Sequence, residues 1–121
     1  MKRKILIADD SPTIRKFVSL SLKMQGFEVL TASDGMEAVE LLPSHKIDLV
    51  ITDLNMPNLD GFELIKSVRE SFQHKEIPII ILSSLSGAKE IEMGIKTGAN
   101  SYLVKPFDPK RIQYEVSKYL N

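Results

Sequence analysis

The sequence predicts an α/β fold, a single doubly wound sheet of five parallel strands with helices on both faces. Five short apolar runs alternate with stretches of helical period, the alternation of a chain built from βαβ units. The connections are short, so consecutive elements must pack as neighbours. The run Leu49, Val50, Ile51 is continuously apolar, which suits a central strand covered on both faces rather than one side wetted by water.

Each element can be justified in turn. Residues 5–8 form the first strand, with Asp9 and Asp10 at its tip. Ser11 then Pro12 is a helix cap followed by the favoured first helical residue, and Ile14, Phe17, Val18 and Leu22 make one face until Gly26. Residues 27–32 are the second strand. Asp34 caps a short helix carrying Ala38, Val39 and Leu42, closed by Pro43. The third strand delivers Asp53 to its C-terminal end, where Pro57 and the turn Asn58, Leu59, Asp60, Gly61 stop it. That turn is also a helix start and receives no chemical role. Phe62, Ile65, Val68 and Phe72 mark the third helix, and residues 77–82 the fourth strand. Residues 87–97 carry only a thin stripe, Ala88, Ile91 and Ile95, around an internal glycine, so this fourth helix is the least firmly held. Residues 101–104 are the fifth strand, cut off by Lys105-Pro106. Asp108-Pro109 starts a last helix with Ile112, Val116 and Leu120 on one face.

Length and charge bound the function. The 121 residues suffice for one domain, 1–121, and contain no repeat, linker or low-complexity tract. Sixteen basic and sixteen acidic side chains cancel, which gives no electrostatic case for direct nucleic-acid or membrane binding. No secretory or membrane-spanning segment follows the basic start, and the absence of cysteine suits a cytoplasmic protein.

In a parallel sheet all strand tips share one edge. Asp9, Asp10, Asp53, Ser83, Ser84 and Lys105 therefore gather where open α/β sheets keep their chemistry. Two carboxylates about 4 Å apart repel by roughly 4 kcal/mol at an effective dielectric near 20, so the cluster needs a cation or a proton. Oxygen donors favour Mg²⁺ over zinc, and neither His45 nor His74, both read as surface residues, follows a strand. Beside a metal, Asp53 is a candidate nucleophile for a phosphoryl group, with Lys105 and Ser83 holding further phosphoryl oxygens. Singly, each residue has a plainer reading: acids beside a helix start, a solvated lysine, serines opening a loop, a packing tyrosine at 102. Their convergence at four tips of one edge is what sets them apart.

Asp9-Asp10, Asp53 with Asn55-Met56-Pro57 and Gly61, Ser83-Ser84, and the stretch from Tyr102 to Phe107 together resemble the receiver domain of two-component response regulators over essentially the whole chain. The likeness is to stand-alone chemotaxis-type members, although the receiver part of a longer DNA-binding regulator would look the same. The resemblance implies a flavodoxin-like strand order 2-1-3-4-5 and a phosphorylation-activated switch. Asp53 would accept a phosphoryl group from a phosphohistidine on a histidine kinase or phosphotransfer protein, or from a small phosphodonor. Asp10, Asp53 and the backbone carbonyl of Asn55 would bind Mg²⁺, or Mn²⁺ in its place, with Asp9 acting through water. Lys105 would pair with the phosphoryl group, preceding a cis peptide to Pro106. Ser83 and Tyr102 would switch, Tyr102 turning inward, so that the face of the fourth helix, fifth strand and fifth helix changes its downstream protein partner. Such a chain catalyses its own phosphorylation and dephosphorylation and is mainly a signalling protein rather than a turnover enzyme.

Two positions depart from the usual pattern: Ser84, where Ala or Gly is common, and Leu85, where relatives often place a polar side chain. The rival classes lack their motifs. Asp53-Leu54-Asn55-Met56-Pro57 has neither the second Asp nor the Thr of a haloacid dehalogenase-type phosphatase, and there is no Walker loop. An interaction module that is never phosphorylated is the remaining alternative.

Overall fold

The computed structural model describes residues 2–120. Five parallel strands, β1 (Lys4–Ala8), β2 (Glu28–Ala32), β3 (Leu49–Thr52), β4 (Ile79–Ser83) and β5 (Ser101–Val104), form one sheet in the order β2-β1-β3-β4-β5. The helices are α1 (Pro12–Lys23), α2 (Gly35–Leu41), α3 (Gly61–Glu70), α4 (Ala88–Thr97) and α5 (Pro109–Ser117). The order reverses direction at β1, which opens a crevice beyond the ends of β1 and β3.

Alternate residues of each strand point to opposite faces, so the sheet separates two cores. Leu6, Ala8, Val50, Ile79 and Ile81 pack with Ala38, Leu42, Leu64, Ile65 and Val68 on the α2 and α3 side. Ile5, Ile7, Leu49, Ile51, Ile80 and Leu82 pack with Val18, Leu22, Ile112, Val116 and Leu120 on the α1 and α5 side. Fully burying each large aliphatic side chain contributes about 2 kcal/mol, and the continuous apolar runs of the inner strands reflect this two-sided burial. Ser11, Asp34, Asp60 and Asp108 cap α1, α2, α3 and α5 through side-chain oxygens, leaving α4 with an uncapped Gly87 start. Among the described residues, no helix is long and apolar enough to cross a membrane.

The structure departs from the sequence expectation at several points. Pro43 does not close α2; it sits in a short 3-10 turn, Leu42–Ser44, where a proline near the start costs no hydrogen bond. Phe72 lies beyond α3 and is 92% exposed, because Ser71 has already left helical conformation and the 3.6-residue count no longer applies. The stripe assigned to α4 does not pack as a face. Ala88 and Ile95 are exposed, and the one buried residue of the helix is Gly94, whose missing side chain lets α4 approach Ile81 and Tyr102. A count of apolar residues treats that glycine as a breaker and misses it as the contact. The C-terminal end of α4 is held by Arg69: its Nε and Nη2 donate to the Gly98 carbonyl (3.1 and 2.7 Å), and Nη1 reaches the Ile77 carbonyl at 2.6 Å. Burial holds this guanidinium below the usual arginine range.

His74 is not a surface residue. It is 2% exposed, and Nε2 lies 3.2 Å from the Ile47 amide, whose hydrogen it accepts when the proton is on Nδ1 beside Ser71 Oγ, and 3.1 Å from the His45 carbonyl, to which it donates in the other tautomer. His45 is half-buried. The imidazole closes the entry to β3 by satisfying a backbone amide that would otherwise be buried alone. His74→Leu should therefore cost about 2 kcal/mol of stability in urea denaturation, the cost of orphaning a buried donor; an unchanged midpoint would contradict this role.

Candidate functional site

The strand register builds the site. Ala8 is paired with Thr52 and Ser83 with Val104, so the residues that follow come together at one edge. The ladder runs one step past the strands: the Asp53 amide donates to the Ala8 carbonyl (2.9 Å) and the Lys105 amide to the Ser83 carbonyl (2.8 Å). These bonds fix the backbone under two side chains that lie 52 residues apart in sequence.

Lys105 Nζ sits between two carboxylates, 3.0 Å from Asp9 Oδ2 and 3.3 Å from Asp53 Oδ2. The other oxygens are also held. Asp53 Oδ1 accepts the Leu54 amide hydrogen at 2.7 Å, and Asp9 Oδ1 accepts that of Ser11 at 2.9 Å, on the N-terminal side of α1. Asp9 is 2% and Asp53 8% exposed, whereas Asp10 is open to solvent. Each of the three contributes a carboxylate oxygen to a group lying within 4.8 Å.

Burial pushes the Asp53 carboxyl above the usual aspartate range; the Lys105 charge pulls it back and the Asp9 charge pushes it further up. For Lys105, burial works to lower the ammonium, but the hydrogen bond it donates to Asp9 and the charges of Asp53 and Asp9 outweigh it and hold it above the usual lysine range. Three carboxylates against one ammonium leave the pocket short of positive charge. A hard divalent cation fits this set, since the donors are all oxygens and Asp10 lies on the open side where a metal keeping several waters could be reached. Asn55 follows two residues after Asp53 on an exposed stretch of the β3–α3 loop.

Ser83 and Tyr102 meet elsewhere. Ser83 is fully buried and its Oγ accepts the Leu85 amide hydrogen (3.1 Å), while the Tyr102 hydroxyl donates to the Leu85 carbonyl (2.6 Å). Both side chains thus clasp one residue of the β4–α4 loop, and Tyr102 already occupies an inward position. Ser84 is exposed and Leu85 half-buried against the α2 and α3 core. The Lys105-Pro106 peptide is cis.

Sequence reasoning gave no supporting role to the residues that hold this site from behind, Gly61 having entered only as part of the family pattern. Arg15 Nη1 donates to the Asp9 carbonyl (2.7 Å), and Thr52 Oγ1 to the Asp53 carbonyl (2.8 Å). Gly61 rests on the backbone of Asp53 and Leu54, where any Cβ would collide with the Asp53 carbonyl. A signal existed for Gly61, a glycine directly after a helix cap where a better helix former would be expected. Nothing in the pattern distinguished Arg15 or Thr52.

The chain matches the model of the response regulator receiver domain family over residues 5–117. It is 40% identical to the chemotaxis protein CheY1 of Helicobacter pylori, over 97% of this chain and 96% of that one. It is also 40% identical to the probable transcriptional regulator ycf27 of Guillardia theta, over 98% of this chain; there it spans about half of the relative's length, 46%. Among solved structures, Vibrio cholerae CheY4 superposes with a TM-score of 0.94 at 38% identity, covering 99% of this chain and 100% of that one. The receiver domain of the Pseudomonas aeruginosa sensor histidine kinase PA1611, at 26% identity and a TM-score of 0.90 over 98% of each chain, holds a magnesium ion in its active-site cleft.

Lys105→Ala would leave two buried carboxylates facing each other. In urea denaturation without divalent metal it should lose about 3 kcal/mol, the low end for breaking a buried pair because the lysine is partly exposed, and millimolar MgCl₂ should recover part of that loss. A deficit indifferent to Mg²⁺ would speak against a shared charge pocket.

Proposed function

Because the chain belongs to the response regulator receiver family, we propose that it is a phosphorylation-activated signalling switch whose acceptor is Asp53. The observation that carries the reading is the buried Asp53 carboxylate at the end of β3, with Lys105 Nζ at 3.3 Å and two further carboxylates beside it.

The donor in this reading is a phosphohistidine on a histidine kinase or phosphotransfer protein. An Asp53 carboxylate oxygen forms the new O–P bond as the P–N bond breaks; the electron pair of that bond stays on the ring nitrogen, and the imidazole, already protonated on its other nitrogen, leaves as the neutral ring. Asp10, Asp53 and the Asn55 carbonyl would hold Mg²⁺, or Mn²⁺ in its place, with Asp9 acting through water, and the ion would supply positive charge to the phosphoryl oxygens. Lys105, already placed between Asp9 and Asp53, moves its ammonium to a phosphoryl oxygen with little travel. The Leu54 amide holds Asp53 Oδ1 and fixes the carboxylate plane. Catalysis of this transfer is mostly positioning and charge neutralisation, so no further acid or base is required.

The output follows from Leu85. When the Ser83 hydroxyl turns to a phosphoryl oxygen it gives up the Leu85 amide, and the loop that anchors Tyr102 and leads into α4 shifts with it. Moving a population from 1:99 to 99:1 needs about 5.5 kcal/mol, and a few charge-assisted hydrogen bonds at roughly 1.5–3 kcal/mol each supply that. The responding surface is the α4, β5 and α5 face, where a groove lined by Tyr102, Val104, Lys110, Arg111 and Tyr114 offers apolar contact beside two cations to a downstream protein. Work beside a kinase phosphohistidine puts the chain in the cytoplasm, as its lack of cysteine permits.

Incubation with acetyl phosphate and Mg²⁺ should add one phosphoryl group by intact-mass spectrometry, and Asp53→Asn should abolish the gain. A gain that survives this substitution would place the acceptor at a residue other than Asp53, and no gain in the parent chain would return the reading to an unphosphorylated interaction module. Leu85 gives a second expectation. In this reading Leu85, two residues past Ser83, shields the acyl phosphate from water, so Leu85→Glu should change the dephosphorylation rate by about threefold or more, equivalent to roughly 0.7 kcal/mol in the barrier; an unaltered decay removes this role.

A further inference from the structure

Asn58 stands in the β3–α3 loop with φ +69°, a left-handed conformation uncommon for residues other than glycine. Its amide Nδ2 donates to Asp34 Oδ2, while Asp34 Oδ1 accepts the Glu37 amide hydrogen as the cap of α2. One residue on in each partner, the Gly35 amide donates to the Leu59 carbonyl at 3.1 Å. Gly35 is buried so closely on that carbonyl that a Cβ would collide with it. Among the described residues, these are the two hydrogen bonds that residues 55–60 make outside their own loop and α3, and both go to the start of α2. The other end of the loop is closed on itself, by the Gly61 amide to the Leu54 carbonyl (2.9 Å) and by Asp60 capping α3. Between these two anchors lies the exposed segment that carries Asn55.

We infer that Asn58 and Asp34 form a positioning brace, which fixes the arc of the β3–α3 loop so that the Asn55 carbonyl faces the Asp10 and Asp53 carboxylates and completes a divalent-metal site. The inference rests on the metal-dependent reading of Asp53 and extends it to two residues that touch neither metal nor phosphoryl group. The physical logic is that of an outer-shell contact: a neutral carbonyl is a weak ligand, and it contributes only if its direction is set before the ion arrives. The left-handed Asn58 turns the chain, and the Asp34 carboxylate holds the turn against an element packed into the core through Ala38. Charge alone makes a different prediction, since an added acid near the pocket should attract a cation.

Amide-shift titration of the metal-free chain with MgCl₂ separates these accounts. Asn58→Gly keeps the positive φ at no steric cost and removes only the brace; it should weaken Mg²⁺ binding about tenfold, the low end for losing an outer-shell partner. Asn58→Asp sets two carboxylates against each other and should also weaken binding, although it adds negative charge. The exchange Asp34→Asn with Asn58→Asp restores one amide and one carboxylate, preserves the α2 cap, and should return the affinity to within roughly twofold of the parent, a residual well under 1 kcal/mol. Binding that requires Asp10 but is indifferent to Asn58→Gly overturns the brace alone, as does a weakened Asn58→Asp chain that the exchange fails to rescue. If the parent binds no Mg²⁺, or Asp10→Asn leaves binding unchanged, the metal-site reading fails and the brace with it.

Discussion

The ammonium of Lys105 between Asp9 and Asp53 is the interaction on which the rest of the structure depends. Two carboxylates buried side by side are tolerable only with a compensating charge, because water has been removed from around them. The compensation is incomplete, since Asp53 stays above the usual carboxylate range despite its lysine partner. A site left in that condition gains from any further positive charge. Its stability and its affinity for a cation are therefore two expressions of one electrostatic deficit. The lysine comes from the far end of the chain, 96 residues from Asp9, because β5 ends at the same sheet edge as β1 and β3.

That convergence is a matter of register. Parallel pairing of Ala8 with Thr52 and of Ser83 with Val104 makes the following residues neighbours, and two extra backbone bonds carry the ladder past the strand ends. A slip by one residue would turn the apolar strand residues to the wrong face and remove the acids from the lysine together. The helices contribute as well. α1 begins beside the pocket, and the Ser11 amide near its start donates to Asp9; helix starts favour negative charge. The acidic edge is thus supported by backbone dipoles that a net charge of zero conceals.

Much of this was legible because it follows from periods and punctuation. The continuous runs at β3 and β4, the Ser-Pro and Asp-Pro helix starts and the order of the tips all state local rules, and the gathering of Asp9, Asp10, Asp53 and Lys105 at one edge followed from them, whereas the sheet order came from the family resemblance alone. What escaped depended on contacts between elements. His74 looked like a polar loop residue until the Ile47 amide was seen to need an acceptor. Gly94 looked like a flaw in α4 until the closeness of Ile81 and Tyr102 showed why a side chain is excluded. Arg69 resembled any helix-end cation, yet its hydrogen bonds go to backbone carbonyls of two segments, Lys75 and Ile77 before β4 and Gly98 after α4. In each case the deciding partner lies far away in sequence, where spacing carries no information.

The attachment of α4 shows how a small change at the pocket can be directed. Its C-terminal end is fastened: Gly98 turns the chain with φ +134°, Arg69 binds the Gly98 carbonyl through two nitrogens, and Asn100 Oδ1 receives both Arg69 and the Ile79 amide. Its N-terminal end has no side-chain cap and follows a loop whose contacts centre on Leu85. Along its length the helix is seated by Gly94 rather than by an apolar face, so little burial opposes a tilt. A helix fixed at one end and lightly seated along its length pivots about the fixed end. In the proposed switch, displacement of Leu85 is carried into the α4 and β5 surface instead of being lost in the loop.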